Sequence, residues 1–419
     1  MRILYVGELA ASTRCAQRAR ALRALGHRLT PISHAVESLD GRPPPASLAA
    51  RLCHRLGWPL DRAGLNRQLS AALELNEFEL LWVECGRALW PSTLRELRRR
   101  APAMRALLFS EDDLFLPHNR SRFQSGCLPL YDLVVTTKRR NQERGELASL
   151  GARRVCYEPK SYDPELFRPR EPSPAERQAL GAPILFVGSY EAPRAAALLA
   201  LAQAGLGVRV FGNGWQRLRR VPSALRIEGR PLLAREYALA IAASELSLGF
   251  LRHQNRDQHT DRSIEIPAAG GLLLAERSAE HLELFAEGRE ALYFADDREL
   301  VEVARAALAQ PERCAAIRGA GRQRVLTLGL DHRGACQRIL ASLFGSADPS
   351  SPAAAPAPAA GALLATEARL ELCGAALPRA DAPAAARAPR PWTGAGPAQP
   401  PGPGLPRQRH GHPIASEQP

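Results

Sequence analysis

The chain has 419 residues and a formal charge of +13, and 45% of its residues are hydrophobic. At roughly 100–200 residues per domain this predicts two domains and some excess, with enough apolar content for ordinary cores. No run of about 18 apolar residues occurs, so no transmembrane helix is expected. Nearly all the positive charge is arginine, since lysine stands only at positions 138 and 160. Arginine abundant together with Ala, Pro and Gly is what codon bias in a GC-rich genome produces. No aromatic-interleaved basic patch or helix-turn-helix pattern accompanies the charge, so no nucleic-acid partner is expected. Weak peripheral attraction to an anionic membrane stays open. The eight cysteines, Cys15 to Cys373, form no C-x-x-C pair and no zinc-finger spacing. They read as reduced, mostly buried thiols, with no metal site.

The start, Met1–Gly7, is too short and too quickly polar for a signal peptide. It reads as a first buried strand, and with no transmembrane run the expectation is a cytoplasmic protein. Further strands are predicted at His27–Ser33, Glu79–Glu84, Met104–Ser110, Asp132–Lys138 and Arg153–Glu158. Helical patterns lie between them at Arg14–Leu25, Pro91–Arg100 and Arg139–Leu150. This alternation implies βαβ units and a parallel sheet, with ligands at the strands' carboxyl ends. A stretch with Pro159, Pro164, Pro169, Pro172 and Pro174 follows, where regular structure is not expected. It reads as a linker between a first domain at 1–170 and a second at 171–345.

The alternation restarts with strand Pro183–Ser189, helix Ala192–Ala204 and strand Val208–Gly212. Helix Leu232–Ser244 and strand Leu246–Arg252 follow, then helix Ser263–Ala269 and extended segments Leu272–Glu276 and Ala291–Phe294. Helices from Glu299 to about Leu343 close this second doubly wound unit. From about 346 to 419 the composition changes, with about 15 of the 35 prolines amid Ala, Gly and Ser. Such a segment cannot bury enough apolar surface to offset its ordering entropy. It reads as a flexible tail, apart from a short helical patch at 361–377.

Four places in the second unit carry chemistry. At Gly188-Ser189-Tyr190 a strand ends on glycine shortly before a helix. Exposed N–H groups at a helix start attract phosphate, and Arg194 adds a charge. Gly212-Asn213-Gly214-Trp215 reads equally as a tight turn or as a turn passing close to a base or sugar. The polar run Arg252–Ser263, with Arg256, Asp257, His259, Thr260 and Arg262, follows a hydrophobic strand. It leads through Glu265 into Gly270-Gly271 and another buried strand, so its side chains fall at the sheet's carboxyl edge. Arginine suits a diphosphate, because its planar fork makes two bonds. A carboxylate suits a ribose diol, because it accepts from both hydroxyls. Glu276 reads as a ligand contact or as a helix cap. In the first unit, Glu111, Asp112 and Asp113 follow a strand and His118 follows them. Carboxylates there would activate an acceptor hydroxyl, or form a solvated acidic turn. Gly7-Glu8 ends the first strand facing the cleft.

The run Asn255 to Phe285, NRDQHTDRSIEIPAAGGLLLAERSAEHLELF, resembles the C-terminal half of group-1 glycosyltransferases, above all their CgeB-like (spore maturation) branch. Gly7–His27, Phe109–Phe123 and Ser161–Pro169 resemble the same branch, and the similarity covers about residues 1–345. The resemblance implies a GT-B fold, two Rossmann-like domains facing across a cleft, in a bacterial protein. The second domain would bind a nucleotide-diphosphate sugar, and the first an acceptor saccharide, lipid-linked glycan or protein. No cofactor or metal is implied. Retaining relatives carry Glu-x7-Glu; here the second glutamate maps to Glu265, as the ribose ligand, and the first to Asp257, an aspartate. The expectation is glycosyl transfer. A nucleotide-sugar epimerase and a non-catalytic sugar-nucleotide-binding protein are the alternatives.

Overall fold

The computed structural model describes residues 1–35, 47–75 and 77–345. The expected tail at 346–419, with its helical patch, lies outside the described residues. The first unit runs β1 (Arg2–Gly7), α1 (Arg14–Ala24), β2 (Arg28–Ser33), α2 (Leu48–Arg55), α3 (Leu65–Leu75), β3 (Leu80–Glu84), α4 (Pro91–Arg100), β4 (Arg105–Ser110), α5 (Arg122–Cys127), β5 (Leu133–Thr136) and β6 (Val155–Tyr157). Its strands are all parallel, in the order β2-β1-β3-β4-β5-β6. Helices cover both faces, so β3 is buried at every position. Alternate strand residues feed two cores. Leu4, Val6, Leu81 and Val83 point to one, and Ile3, Tyr5, Leu80 and Trp82 to the other.

The second unit runs α6 (Pro174–Leu180), β7 (Ile184–Val187), α7 (Ala192–Gln203), β8 (Val208–Phe211), β9 (Leu225–Ile227), α8 (Ala234–Ala242), β10 (Leu246–Gly249), α9 (Asp261–Ala268), β11 (Leu273–Glu276), α10 (Ala279–Leu284), β12 (Leu292–Phe294), α11 (Asp297–Leu308), α12 (Pro311–Thr327) and α13 (His332–Phe344). Its sheet is again parallel, in the order β12-β11-β10-β7-β8-β9. Strand order reverses between β1 and β3 in the first sheet and between β7 and β10 in the second. Open α/β sheets bind ligands at such switch points.

Four local features differ from the sequence reading. The proline-dense linker holds a helix, α6: Pro174 occupies its first turn, where the missing N–H costs nothing, and Ser173 and Glu176 form a capping box. Arg139–Leu150 makes two 3-10 turns rather than one helix. Buried Asn141 there donates to Asp113 and Glu146, contacts that hold the chain off a regular helix. Strand β9 and helices α2 and α3 were not anticipated. Finally, α11 and α12 close the second unit as expected, but α13 packs on the first: Cys336, Ile339 and Leu343 join Ile3, Tyr5, Leu22 and Trp82 in one core. Their helical spacing forms the apolar stripe that this crossing needs.

Candidate functional site

The carboxyl ends of the two sheets face one cleft of about 610 Å³. From the first unit it is lined by Glu8 and Arg14 after β1, Glu84 and Cys85 at the end of β3, and Glu111 and Asp112 after β4. From the second come Val187 after β7, Leu232 to Ala234 and Tyr237 around the start of α8, Arg252 after β10, and Asp261, Arg262 and Glu265 of α9. Two of its lining residues, Cys85 (φ 62°) and Ala234 (φ 47°), hold left-handed backbone without being glycine. Such conformations cost energy and tend to cluster at functional sites.

Charge is concentrated in this cleft. Arg14, at the first position of α1, lies 2.7 Å from Asp261, 3.5 Å from Glu111 and 3.7 Å from Glu265. Buried Lys160 lies 3.2 Å from Glu111 and 3.5 Å from Asp261. Buried Arg18 binds Glu84 through two hydrogen bonds of 2.8 Å and reaches Glu111 at 2.7 Å. Burial pushes Glu111 up, but Lys160, Arg14 and Arg18 outweigh it and hold that carboxyl well below its ordinary range. Glu265 goes the other way. Burial pushes its carboxyl up to about 7, with Asp261 adding to the rise and Arg14 opposing it.

The expected donor-side residues divide between the cleft and its supports. Arg262 and Glu265 line the cleft, and Arg262 is anchored by Nε donating to the Val187 carbonyl at 2.6 Å. Arg194 is buried; one Nη lies 2.9 Å from the Glu191 carboxylate and donates to the Ser189 carbonyl at 3.3 Å, while Nε and the other Nη have no hydrogen-bond partner. Burial lowers its pKa. Gly188, Ser189 and Tyr190 turn back on the loop after β8, where the Tyr190 N–H donates to the Asn213 carbonyl. A Cβ on Gly212 would sit 1.9 Å from the Gly188 carbonyl oxygen, so the two turns close against each other. Gly214 packs against Tyr190.

Other expected residues are occupied elsewhere. Arg256 binds Asp113 at 2.5 Å and Glu146 at 2.6 Å, tying the second unit to the first. Asp113 is fully buried, and its carboxylate also accepts from Asn141 at 2.9 Å. Asp257 is buried against Lys138 and accepts from Asn255 at 2.9 Å. His259 accepts from the Lys160 N–H at 2.9 Å and pairs with Glu280 at 2.6 Å. Thr260 precedes α9, and its N–H donates to Ser263. Gly270 (φ 82°) and Gly271 form the turn before β11, where a Cβ on Gly271 would lie 2.3 Å from Ile241. His118 is exposed. Of the expected acidic groups after β4, Glu111 and Asp112 line the cleft and Asp113 does not. Glu276 receives the Leu251 N–H and lies 2.9 Å from His253, and it caps no helix. Among the described residues no cluster of three or more His, Cys, Asp or Glu could hold a metal ion.

Sequence reasoning missed Arg14, Lys160, Asp261 and Tyr237. Arg14 had a visible signal, because it opens the first helix after β1 at the same carboxyl edge. Lys160 had none, being placed by the proline-dense stretch between the two sheets.

These two doubly wound sheets, meeting across one cleft at their carboxyl ends, make the GT-B architecture. Residues 194–340 match a family model described as glycosyl transferase-like. Among solved structures, a sucrose-phosphate synthase from Thermosynechococcus elongatus is 16% identical with a TM-score of 0.57, covering 83% of this chain and 100% of that one. The Anabaena protein HepE, solved with UDP and glucose, is 14% identical with a TM-score of 0.53, covering 82% and 99%. An E. coli trehalose-6-phosphate structure bound with UDP-2-fluoro glucose is 14% identical with a TM-score of 0.54, covering 82% and 99%. No curated protein matches.

Proposed function

We propose that the chain is a glycosyltransferase that moves a sugar from a nucleotide-diphosphate sugar to an acceptor. The observation that carries this reading is the pairing of Arg262 and Glu265 on α9, at the β7–β10 switch point and facing the cleft. Glu265 accepts hydrogen bonds from the two ribose hydroxyls. Arg262 and Arg14 hold the diphosphate, with the unpartnered nitrogens of Arg194 and the start of α7 beside it. Leu232 and Tyr237 supply apolar surface for the base. Charge on the leaving diphosphate is stabilised by these fixed donors. Asp112, half-exposed on the acceptor side, takes the acceptor proton. The UDP and UDP-sugar held by the Anabaena and E. coli proteins support testing uridine donors first.

Asp257 departs from this picture. The resemblance gives it a sugar contact, yet Lys138 and Asn255 engage it, so no stereochemical course is proposed. The same observation favours a second reading, nucleotide-sugar binding without transfer. A scan of UDP-, GDP-, dTDP- and CMP-sugars, with and without acceptors, separates the two. Transfer or donor hydrolysis with at least one donor is expected. Binding of a donor with no turnover under any condition selects the second reading.

A further inference from the structure

Helix α2 is built the wrong way round for a water-soluble surface. At 100° per residue, Leu48, Leu52 and Leu56 fall within an arc of about 80°. That stripe points to solvent: the three leucines are 79%, 59% and 60% exposed. Ala50, on the opposite side, is buried, and Cys53, round the flank, is half-buried. The chain continues past the helix with Trp58 and Leu60, themselves 47% and 50% exposed. Single exposed apolar residues need no explanation, but a contiguous set on one helix and its extension marks an interaction surface.

Charge says what covers it. Between Ser47 and Arg67 stand Arg51, His54, Arg55, Arg62 and Arg67, against the single acid Asp61. Asp61 is turned inward, accepting from the N–H groups of Leu65 at 2.7 Å and Asn66 at 2.9 Å at the start of α3. On the helix wheel Arg55, and beyond it Arg51, run along one edge of the leucine stripe. Trp58 is held edge-on to Phe123, with ring centroids 5.0 Å apart, and the Arg122 guanidinium lies 5.6 Å from its ring. A leucine stripe edged on one side by arginine, followed by a tryptophan held by a cation, matches the physics of a helix lying in a lipid interface. The apolar face enters the acyl boundary, tryptophan sits at headgroup level, and arginines pair with anionic headgroups. A protein partner of acidic surface would also suit the positive charge, but it gives no reason for five large exposed apolar side chains between Leu48 and Leu60.

We infer that α2 and the segment to Leu60 form a docking surface for an anionic lipid bilayer. This surface belongs to the first unit, and the inference stands whether or not the cleft transfers sugars.

The test is co-sedimentation of the full chain with vesicles of phosphatidylcholine alone, or carrying roughly 30% phosphatidylglycerol. Binding is expected only with the anionic lipid, and it weakens as salt is raised. The double variant Leu52→Glu, Leu56→Glu lowers the bound-to-free ratio roughly tenfold or more. Its melting temperature stays unchanged, because both side chains are exposed. Arg55→Glu weakens binding more than the charge-matched Arg298→Glu on α11. Brominated lipid quenches tryptophan emission in the wild type, and Trp58→Phe removes most of that quenching. Three results overturn the inference. One is no binding to anionic vesicles. Another is equal binding by the leucine variant, which assigns adsorption to the overall positive charge. The third is a wild-type dimer in light scattering that Leu52→Glu makes monomeric, which assigns the strip to a second copy.

Discussion

Asp112 and Asp113 are neighbours in sequence with opposite surroundings. Asp113 is fully buried and takes hydrogen bonds from Arg256 and Asn141, and these hold its pKa below the ordinary value against the push of burial. Asp112 lines the cleft, with the Arg252 guanidinium 4.0 Å away. The two substitutions should therefore act differently. Asp113→Asn costs about 1–3 kcal/mol of stability, because it weakens a buried charged contact, and is read as a lowered melting temperature. Asp112→Asn keeps the fold and nucleotide affinity but lowers turnover. If Asp112→Asn turns over at the wild-type rate, the proton goes elsewhere. Both residues stood out in the sequence as acids after a strand, but nothing local told the buried one from the cleft one. Their difference is made by Arg256, 143 residues away. The same is true of Asp257, whose partner Lys138 lies 119 residues back. Glu265 was legible because its position depended only on local order: strand, polar loop, short helix.

At the scale of elements, strand and helix positions followed from apolar runs and their punctuation, because a parallel sheet covered on both faces demands continuous apolar strands. Elements that lacked this pattern escaped. β9 spans only Leu225–Ile227, and α2 turns its leucines to solvent, so neither shows a core-facing stripe. α13 carried a readable stripe, but periodicity cannot say which core a helix joins. Its packing makes a prediction about where the chain can be cut. Truncation after Gly345 leaves cooperative unfolding unchanged, since α13 is kept and the composition beyond it supports no core. Truncation after Leu330 removes Cys336, Ile339 and Leu343 from the first unit's core, where losing each large apolar side chain costs about 2–5 kcal/mol. Thermal unfolding of the two truncations checks this; a shorter chain as stable as the longer one contradicts the placement of α13.

In the whole molecule, the two units are joined by buried polar contacts as well as by the linker and α13. Lys138 meets Asp257, Arg256 meets Asp113 and Glu146, and His259 receives the Lys160 N–H, while His332 ties the start of α13 to Ser161 at 2.7 Å and to Gln17 of α1 at 3.0 Å. These contacts flank the cleft and fix the distance between Arg14 on one side and Glu265 on the other. Within the cleft Glu265 carries a carboxyl pushed up to about 7 by burial. The sign for stability follows: the protonated form is favoured in the fold, so this contribution is fully present below about 4.5 and is lost as pH rises through about 7. Binding runs the opposite way, because a ribose diol needs the ionised carboxylate as acceptor. Calorimetric titration with UDP, wild type against Glu265→Gln, at pH values on either side of 7, is the most direct test. Above pH 7 the variant is expected to bind about tenfold to a hundredfold more weakly, the worth of one charged hydrogen bond. This gap should narrow as pH falls below 7 and the wild-type carboxyl takes up its proton. Equal affinities at every pH, with only the melting temperature changed, would contradict a nucleotide-binding role for Glu265 and leave it as a buried structural acid.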